Sequence, residues 1–212
     1  GFAQAQSPAY PTQSIKLIVP YAPGQATDVM CRVFAEQLKV VLKQNIIIEN
    51  RVGAASNLGS AEAAKAAPDG YTLLCTGSAT HVANPLLYSS MGFDPDKDLV
   101  PVILWTRGLM LLVASPALGA SSVAEFVATA KKRGEPLLYG TSGPGSVTDF
   151  APKLLGLQAG IPLERVAYKS TTHALLDIMP GRVHFAFDFV PTSLQHIRAG
   201  KLVPLLVTSD HR

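Results

Sequence analysis

The feature that most constrains the fold is a regular alternation of apolar, strand-like runs with runs of helical spacing. In the first part of the chain, strands and helices alternate at residues 15–21, 27–43, 45–50, 61–67 and 71–76. A β–α–β order of this kind produces a parallel sheet with right-handed crossovers. The sequence therefore predicts an α/β fold in which helices flank mainly parallel sheets.

The alternation starts again in the second half of the chain. It predicts strands at 110–114, 136–139, 165–170, 183–189 and 202–209, and helices at 123–132, up to 157, 172–179 and 191–199. We therefore expect two lobes, residues 1–102 and residues 103–202. Residues 203–212 are expected to leave the second lobe and return toward the first as a strand.

The most apolar stretch, residues 99–120, is the nearest approach to a membrane span. Pro101, Arg107, Gly108 and Pro116 interrupt it, and such residues disfavour a helix in a bilayer. We instead predict two short strands around a bend at residues 107–108, in a protein that is not inserted in a membrane.

Composition excludes several classes of protein. Of the 212 residues, 48% are hydrophobic and 16% are charged, and the net charge of +3 comes from scattered basic residues. This balance is typical of a folded domain and argues against a nucleic-acid surface. Cys31 and Cys75 have no metal-like spacing, and we interpret them as small buried apolar side chains. No metal or cofactor is predicted.

The first residues contain Ala3-Gln4-Ala5, an arrangement of small residues that signal peptidases accept. We take this segment as the remainder of a removed export signal, which predicts an exported protein.

Two loops share an unusual composition. Residues 21–28 (YAPGQATD) and 139–148 (YGTSGPGSVT) each follow a strand, contain glycine and small hydroxyl residues, and open a helix. A helix N-terminus presents unpaired N–H groups and about half a positive charge, which favours an anion. Ligands of open parallel sheets bind beyond the carboxyl ends of the strands. The two loops therefore predict an anion held between the lobes, although Asp28 taken alone is equally well explained as a helix cap.

Enzyme motifs are not satisfied. The second loop starts like a dinucleotide fingerprint, but Thr148 occupies its third small position, and Pro144 breaks a nucleophile elbow around Ser142. The histidines show no HExxH spacing. Asp188 lies near the end of a very apolar strand, where it either is satisfied by a nearby loop or faces the cleft. Ser78, Thr80 and His81 follow the third strand and either line the cleft or pack within their loop.

Together these stretches resemble the substrate-binding proteins of tripartite tricarboxylate transporters, the Bug-type periplasmic receptors. The resemblance is carried by residues 10–28, 49–74, 137–146, 185–202 and 205–209. It implies a two-lobed, type II periplasmic-binding-protein-like fold with a hinge. It also implies that a small carboxylate (a dicarboxylate, an amino acid or an aromatic acid) is held by the two loops and passed to integral-membrane transporter subunits. Members usually continue well past residue 209, so we expect this chain to lack their C-terminal part.

The resemblance assigns ligand contacts to specific positions. The first loop gives Tyr21, Gly24, Gln25, Ala26, Thr27 and Asp28; the second gives Thr141, Ser142, Gly143, Gly145, Ser146 and Thr148; Ser78 and Asp188 can shape specificity. Gln25 stands where the family usually has glycine, and either intrudes into the cleft or adds an amide donor. Pro144 removes one N–H, and Asp149 would repel an anion if it pointed inward.

Two rival functions remain open at this stage. An α/β enzyme would use the same cleft on a carboxylate or nucleotide, with His81 and Asp188 as loose candidates for its catalytic groups. A ligand-sensing module would close in the same way and signal to another protein. The preferred interpretation is a receptor without enzymatic activity.

Overall fold

The computed structural model describes residues 10–209, and its strands form two sheets. The first sheet contains β1 (Ile15–Val19), β2 (Ile46–Asn50) and β3 (Thr72–Leu74), in the order β2-β1-β3 with both pairings parallel. This confirms the β–α–β order that the sequence predicts for the first part of the chain. All three strands therefore end at one edge of the sheet.

Helices connect these strands and follow the last of them: α1 (Ala26–Leu42), α2 (Asn57–Ala64), α3 (Ala79–Val82) and α4 (Asn84–Leu87). The start of α2 lies four residues earlier than predicted, because the backbone of residues 54–56 turns with positive φ directly before it. The short helices α3 and α4 occupy what the sequence suggests is a loop.

The second sheet has five strands: β4 (Met110–Ala114), β5 (Leu137–Thr141), β6 (Leu163–Ala167), β7 (Phe185–Phe189) and β8 (Val203–Val207). Their order is β6-β5-β7-β4-β8, and only β4 runs antiparallel to its neighbours. Its helices are α5 (Val123–Lys132), α6 (Val147–Ala159), α7 (Thr171–Ile178) and α8 (Val190–Arg198). Both sheets are thus mainly parallel and carry helices, as predicted.

Local signals explain where the second set of helices begins and ends. The Ser122 hydroxyl caps α5 by accepting from the Glu125 N–H, and the Glu125 carboxylate accepts from the Ser121 N–H, which satisfies unpaired donors at both positions. Helix α6 ends at Gly160, whose φ of 62° suits glycine. Between helix and sheet, Phe126 of α5 packs edge to face on Phe185 of β7, with ring centroids 5.0 Å apart.

The interpretation of the two cysteines is wrong. Cys31 of α1 and Cys75, which directly follows β3, form a disulfide across 44 residues of chain. Both are buried, as expected, but they are covalently joined rather than merely apolar. Sequence spacing alone carries no information on which helix face meets which strand, and this is why the pairing was missed.

Two further predictions differ from the structure. The sequence predicts two strands for residues 99–120, and only the second of them exists. Residues 99–109 form no strand, and no strand among residues 10–209 pairs with them. Trp105 of this segment instead stacks on Phe34 of α1. The segment expected to leave the second lobe contains β8, which hydrogen-bonds to β4 at the edge of the second sheet. The division at residue 102 stays a prediction.

Within residues 10–209, no helix combines the length and the apolar character that a bilayer-spanning segment needs.

At Gly59, helix α2 lies close to the residues that directly follow β1 and β2. A Cβ at this position would lie 2.7 Å from the carbonyl oxygen of Arg51 and 3.0 Å from Cβ of Pro20. Helix propensity alone would make Gly59→Ala stabilising by about 1 kcal/mol. We expect the opposite sign, a loss of about 1–3 kcal/mol in the free energy of unfolding, because the rigid backbone of Arg51 cannot yield.

Chemical denaturation of wild type and Gly59→Ala measures this difference. Gly156→Ala in α6 is the matched control, since its Cβ would meet the flexible end of Leu163 at 2.8 Å, while the nearest backbone atom, the Ile161 carbonyl oxygen, lies further away at 3.3 Å. The control should change the free energy of unfolding less than Gly59→Ala does. A Gly59→Ala protein as stable as wild type would show that α2 is free to shift away from the sheet.

Candidate functional site

The loops at the carboxyl ends of both sheets surround one cavity of about 610 Å³. From the first sheet it is lined by residues that follow β1, β2 and β3; from the second, by residues that follow β5, β6 and β7. The segment that joins the sheets, residues 103–108, lines it as well. The cavity therefore lies where parallel α/β sheets place their ligands.

The first predicted loop brings the start of α1 to this cavity. Tyr21, Gln25, Ala26 and Thr27 line it, and α1 begins at Ala26. Gln25 resolves one ambiguity of the sequence: its Oε1 accepts from the Ala22 N–H at 3.3 Å, so the side chain folds back on its own loop while it still lines the cavity. The Tyr21 hydroxyl accepts from the Gly77 N–H at 3.0 Å and thereby links this loop to the one that follows β3.

Asp28 and Gly24 support the first loop from behind instead of lining the cavity. The buried Asp28 carboxylate accepts from the Gly24 N–H at 2.8 Å, from Asn50 Nδ2 at 2.8 Å and from Arg32 Nε at 2.9 Å. Burial acts to raise the pKa of Asp28, but these donors outweigh it, and the net pKa lies below its usual value. Gly24 has a φ of 77°, and a Cβ there would touch nothing within 4 Å, so its role is conformational.

The second predicted loop is held by a cluster of hydroxyl groups. The Thr148 hydroxyl lies 3.0 Å from those of Thr141 and Ser142 and 2.8 Å from that of Ser146. The Ser146 hydroxyl donates to the Gly143 carbonyl at 2.7 Å, which closes the turn before α6. Ser142, Gly145, Ser146 and Thr148 line the cavity, whereas the buried Thr141 lies beneath the loop and Gly143 lies outside the lining.

At Gly145 the second loop lies close to α4. A Cβ at this position would lie 3.0 Å from Cδ1 of Leu87 and 3.7 Å from Oδ1 of Asn84, both on α4. Ser78, at the start of α3, lines the cavity as predicted, while the neighbouring Thr80 is buried and bonds to Thr76 at 2.7 Å. His81 is absent from the lining.

Asp188 does not face the cavity. It is fully buried, and its Oδ2 accepts from the hydroxyls of Thr192 and Ser193, both at 2.6 Å. Both donors lie in the first turns of α8, so the carboxylate sits at that helix N-terminus, where it is stabilised by the helix dipole. Only Oδ2 is satisfied, by α8 hydroxyls rather than by the nearby loop that the sequence suggested, and Oδ1 has no hydrogen-bond partner among residues 10–209. Because Asp188 does not line the cavity, its predicted role in ligand recognition does not fit.

Asp149 also points away from the cavity, so it does not repel a ligand there. Its carboxylate accepts from the Tyr139 hydroxyl at 2.9 Å and from Lys153 Nζ at 2.7 Å, and Arg165 lies at 3.6 Å. Burial, together with this hydrogen bond, raises the pKa of Tyr139 to about 12. Pro144 lines the cavity, as its place in the loop suggests.

Sequence reasoning missed three continuous parts of the lining and several single residues such as Met30, Met110 and Phe189. The continuous parts are residues 52–56, residues 103–108, and the Tyr168–Lys169 pair after β6. In the first part, Ala54, Ala55 and Ser56 all have positive φ, which is uncommon for residues with a side chain. A signal was available for the pair after β6, because every strand of a parallel sheet ends at the same edge. No signal was available for residues 103–108, whose position depends on the packing of Trp105.

The charged residues of the lining are all basic. Arg107 and Lys169 line the cavity, and no Asp, Glu, His or Cys does so within the described part of the chain. Neither Arg107 nor Lys169 has a hydrogen-bond or ion-pair partner among residues 10–209. The same residues hold no cluster of His, Cys, Asp and Glu that would bind a metal ion. The cavity is therefore electropositive, with two helix N-termini, hydroxyl groups and unpaired cations facing an apolar interior.

The amino-acid sequence matches a known family of proteins. Residues 30–212 match the family described as the tripartite tricarboxylate transporter family receptor. The chain belongs to this family. The match covers most of the chain, and it confirms the resemblance that the two loops and their neighbouring stretches carry. The family consists of transporter receptors, in agreement with the expectation that the chain is not an enzyme.

The chain is also similar in sequence to individual members of the family. The chain is 34% identical over 211 residues to protein BugT of Bordetella pertussis, a match that covers 99% of this chain and 65% of BugT. It is 34% identical over 212 residues to a protein of Agrobacterium vitis, a match that covers 99% of this chain and 60% of that protein. The chain thus spans 60–65% of the length of these relatives.

Solved structures of the family share the fold. Rpa4515 of R. palustris, solved with adipate, superposes with a TM-score of 0.91 at 35% identity, over 96% of this chain and 68% of that one. MatC of Rhodopseudomonas palustris, solved with malate, gives a TM-score of 0.85 at 30% identity, over 96% and 69%. The structure of the periplasmic binding protein BugD superposes with a TM-score of 0.84 at 27% identity, over 96% of this chain and 68% of that one. The predicted periplasmic-binding-protein fold is confirmed.

Proposed function

We propose that this chain is the ligand-binding part of a periplasmic receptor that captures a small carboxylate and delivers it to a tripartite tricarboxylate-type membrane transporter. The observation that carries this proposal is the convergence of the N-termini of α1 and α6 on one cavity whose charged lining residues are all basic. A carboxylate there would accept from free backbone N–H groups and meet favourable charge from both helices. Adipate and malate, bound by two solved relatives, are carboxylates.

Three observations support the location and the mode of action. The BugD structure is that of a periplasmic protein, and a disulfide such as Cys31–Cys75 persists in oxidising compartments like the periplasm. Export with removal of a signal is part of the proposal; its predicted remainder at residues 3–5 lies outside the described residues. Each sheet supplies one helix N-terminus, so the two proposed lobes, meeting near residue 102, would close on the ligand by a hinge motion.

The enzyme alternative is less well supported. It needs a base or a nucleophile within reach of a substrate, and its two candidates were His81 and Asp188. Neither lines the cavity, and the Asp188 carboxylate accepts hydrogen bonds from the Thr192 and Ser193 hydroxyls of α8. The sensing alternative uses the same ligand site and differs only in the partner that reads the closed state.

Thermal unfolding against a panel of mono-, di- and tricarboxylates, amino acids and aromatic acids, with nucleotides as controls, tests the proposal. A ligand at about 100 times its Kd should add about 2.7 kcal/mol, which corresponds to roughly 5–10 °C in Tm for a chain of this size. Thr27→Glu should abolish the shift, because it places a negative charge at the N-terminus of α1 beside the ligand. An acidic residue in a first helical turn is favourable, so the unliganded Tm should not fall.

Thr27→Gln is the matched control, since it has nearly the shape of the glutamate variant without the charge, and it should retain most of the shift. A panel in which no acid raises the Tm would contradict the proposal. So would a shift that survives unchanged in Thr27→Glu.

A further inference from the structure

The two basic residues of the cavity occupy different places along the edge of the second sheet. Lys169 follows β6, which is the neighbour of β5, and the Tyr168 N–H before it donates to the Thr141 carbonyl at 2.9 Å. Arg107 precedes β4, and the adjoining Gly108 packs on Phe189 at the end of β7, where a Cβ would lie 2.7 Å from the ring. The two cations therefore flank the loop that opens α6, on opposite sides.

Strand spacing gives the scale of this arrangement. The sheet order is β6-β5-β7-β4, and adjacent strands lie about 4.8 Å apart. Along the sheet edge, the end of β6 is thus about 5 Å from the end of β5, and the start of β4 is about 10 Å from it on the other side. Lys169 follows the strand next to the α6 loop, on the side where it can share an anion with the N-terminus of α6. Arg107 precedes a strand one position further away, on the opposite side of that loop.

The space between the α6 loop and Arg107 is apolar. Phe189 and Met110 line the cavity there, and Leu104 and Trp105 line it from the connecting segment. An unpaired guanidinium beyond an apolar surface is suited to a second anionic group, because it offers a planar fork of donors that matches a carboxylate. A hydrocarbon chain would cover the apolar side chains between the two ends.

We infer that Arg107 is a specificity-determining residue that binds the distal carboxylate of a linear dicarboxylate, while Lys169 assists the α6 N-terminus in binding the proximal one. The inference rests on the proposed function and narrows its ligand from small carboxylates in general to acids with two carboxylates separated by an apolar chain. Lys169 then contributes to the binding affinity of any acid that enters the cavity, whereas Arg107 contributes only to the affinity of acids with a second charge.

Adipate and hexanoate test this assignment, because both have six carbons in a chain and differ by one carboxylate. Calorimetric titration at fixed ionic strength should show that the wild-type protein prefers adipate by about tenfold or more, the range expected for a charge-assisted hydrogen bond. Arg107→Gln should remove this preference and leave the hexanoate affinity within about a factor of two, since the lost partner touches only the distal carboxylate. Lys169→Gln should weaken both acids by a similar factor.

Two further variants complete the design. Arg107→Lys keeps the charge and should retain part of the preference for adipate. Arg198→Gln, at the exposed C-terminal end of α8 and outside the cavity, should change neither affinity. An Arg107→Gln protein with an unchanged ratio of adipate to hexanoate affinity would overturn the inference, as would an equal loss for both acids. Wild-type protein that binds acids of the panel without preferring adipate would do the same, whereas wild-type protein that binds no acid would overturn the proposed function itself.

Discussion

Replacing both Cys31 and Cys75 by alanine is expected to lower the free energy of unfolding by about 2–4 kcal/mol. The disulfide closes a loop of 44 residues, and a cross-link of that span removes much of the conformational freedom of the unfolded chain. For a chain of this size the loss corresponds to a fall of roughly 5–15 °C in Tm.

The same change should weaken ligand binding. Cys31 lies on α1 five residues after its start, and Cys75 directly precedes Thr76 and Gly77 of the cavity wall. The disulfide therefore ties together two of the first-sheet segments that line the cavity, those following β1 and β3. Without it, their relative position depends on weaker contacts such as the Tyr21–Gly77 hydrogen bond.

Calorimetric melting of wild type and double variant, each with and without a reducing agent, measures the effect. The reductant should lower the Tm of the wild type to near that of the variant and leave the variant unchanged, which is the internal control. Two free thiols titrated in the unfolded, non-reduced wild type would show that the disulfide does not form.

Asp28→Asn is expected to cost about 1–3 kcal/mol at pH 7, because the amide carries no charge to pair with Arg32 and keeps only one of the two oxygens that accept from Gly24, Asn50 and Arg32. The effect depends on pH in a defined direction. The folded pKa of Asp28 is below that of the unfolded chain, so its stabilisation is complete above about pH 4 and is lost as the pH falls through the folded value.

Denaturation curves at several pH values between 7 and 2.5 check this prediction. The difference in the free energy of unfolding between wild type and Asp28→Asn should be largest at neutral pH and should shrink in acid. Asp96→Asn, at an exposed position, should track the wild type throughout. A constant difference across the pH range would mean that the ionised form of Asp28 is not what stabilises the loop.

The fold was largely predictable because it depends on local signals. Apolar runs and helical spacing located all eight strands and the six longer helices to within a few residues, and the alternation indicated parallel sheets. The exceptions have a common physical cause. Residues 99–109 are apolar enough for a strand but have no strand to pair with among the described residues, and α3 and α4 are too short for periodicity to reveal.

The candidate site was predicted in outline and not in detail. Nine of the fourteen proposed ligand contacts line the cavity: Tyr21, Gln25, Ala26, Thr27, Ser78, Ser142, Gly145, Ser146 and Thr148. The other five support the loops or lie behind them, and Asp28 and Asp188 show why. A buried carboxylate at a helix N-terminus has the same sequence signature whether its partners are a ligand or the surrounding chain.

The sequence by itself determined the order of strands and helices and the two loops that open α1 and α6, since these follow from side-chain period and from the backbone chemistry of glycine and small residues. Only the tertiary structure decided that Cys31 meets Cys75, that Asp188 turns to α8, and that Arg107 and Lys169 in the cavity have no partner among residues 10–209. Each of these depends on the packing of segments far apart in the chain, which spacing along the sequence does not encode.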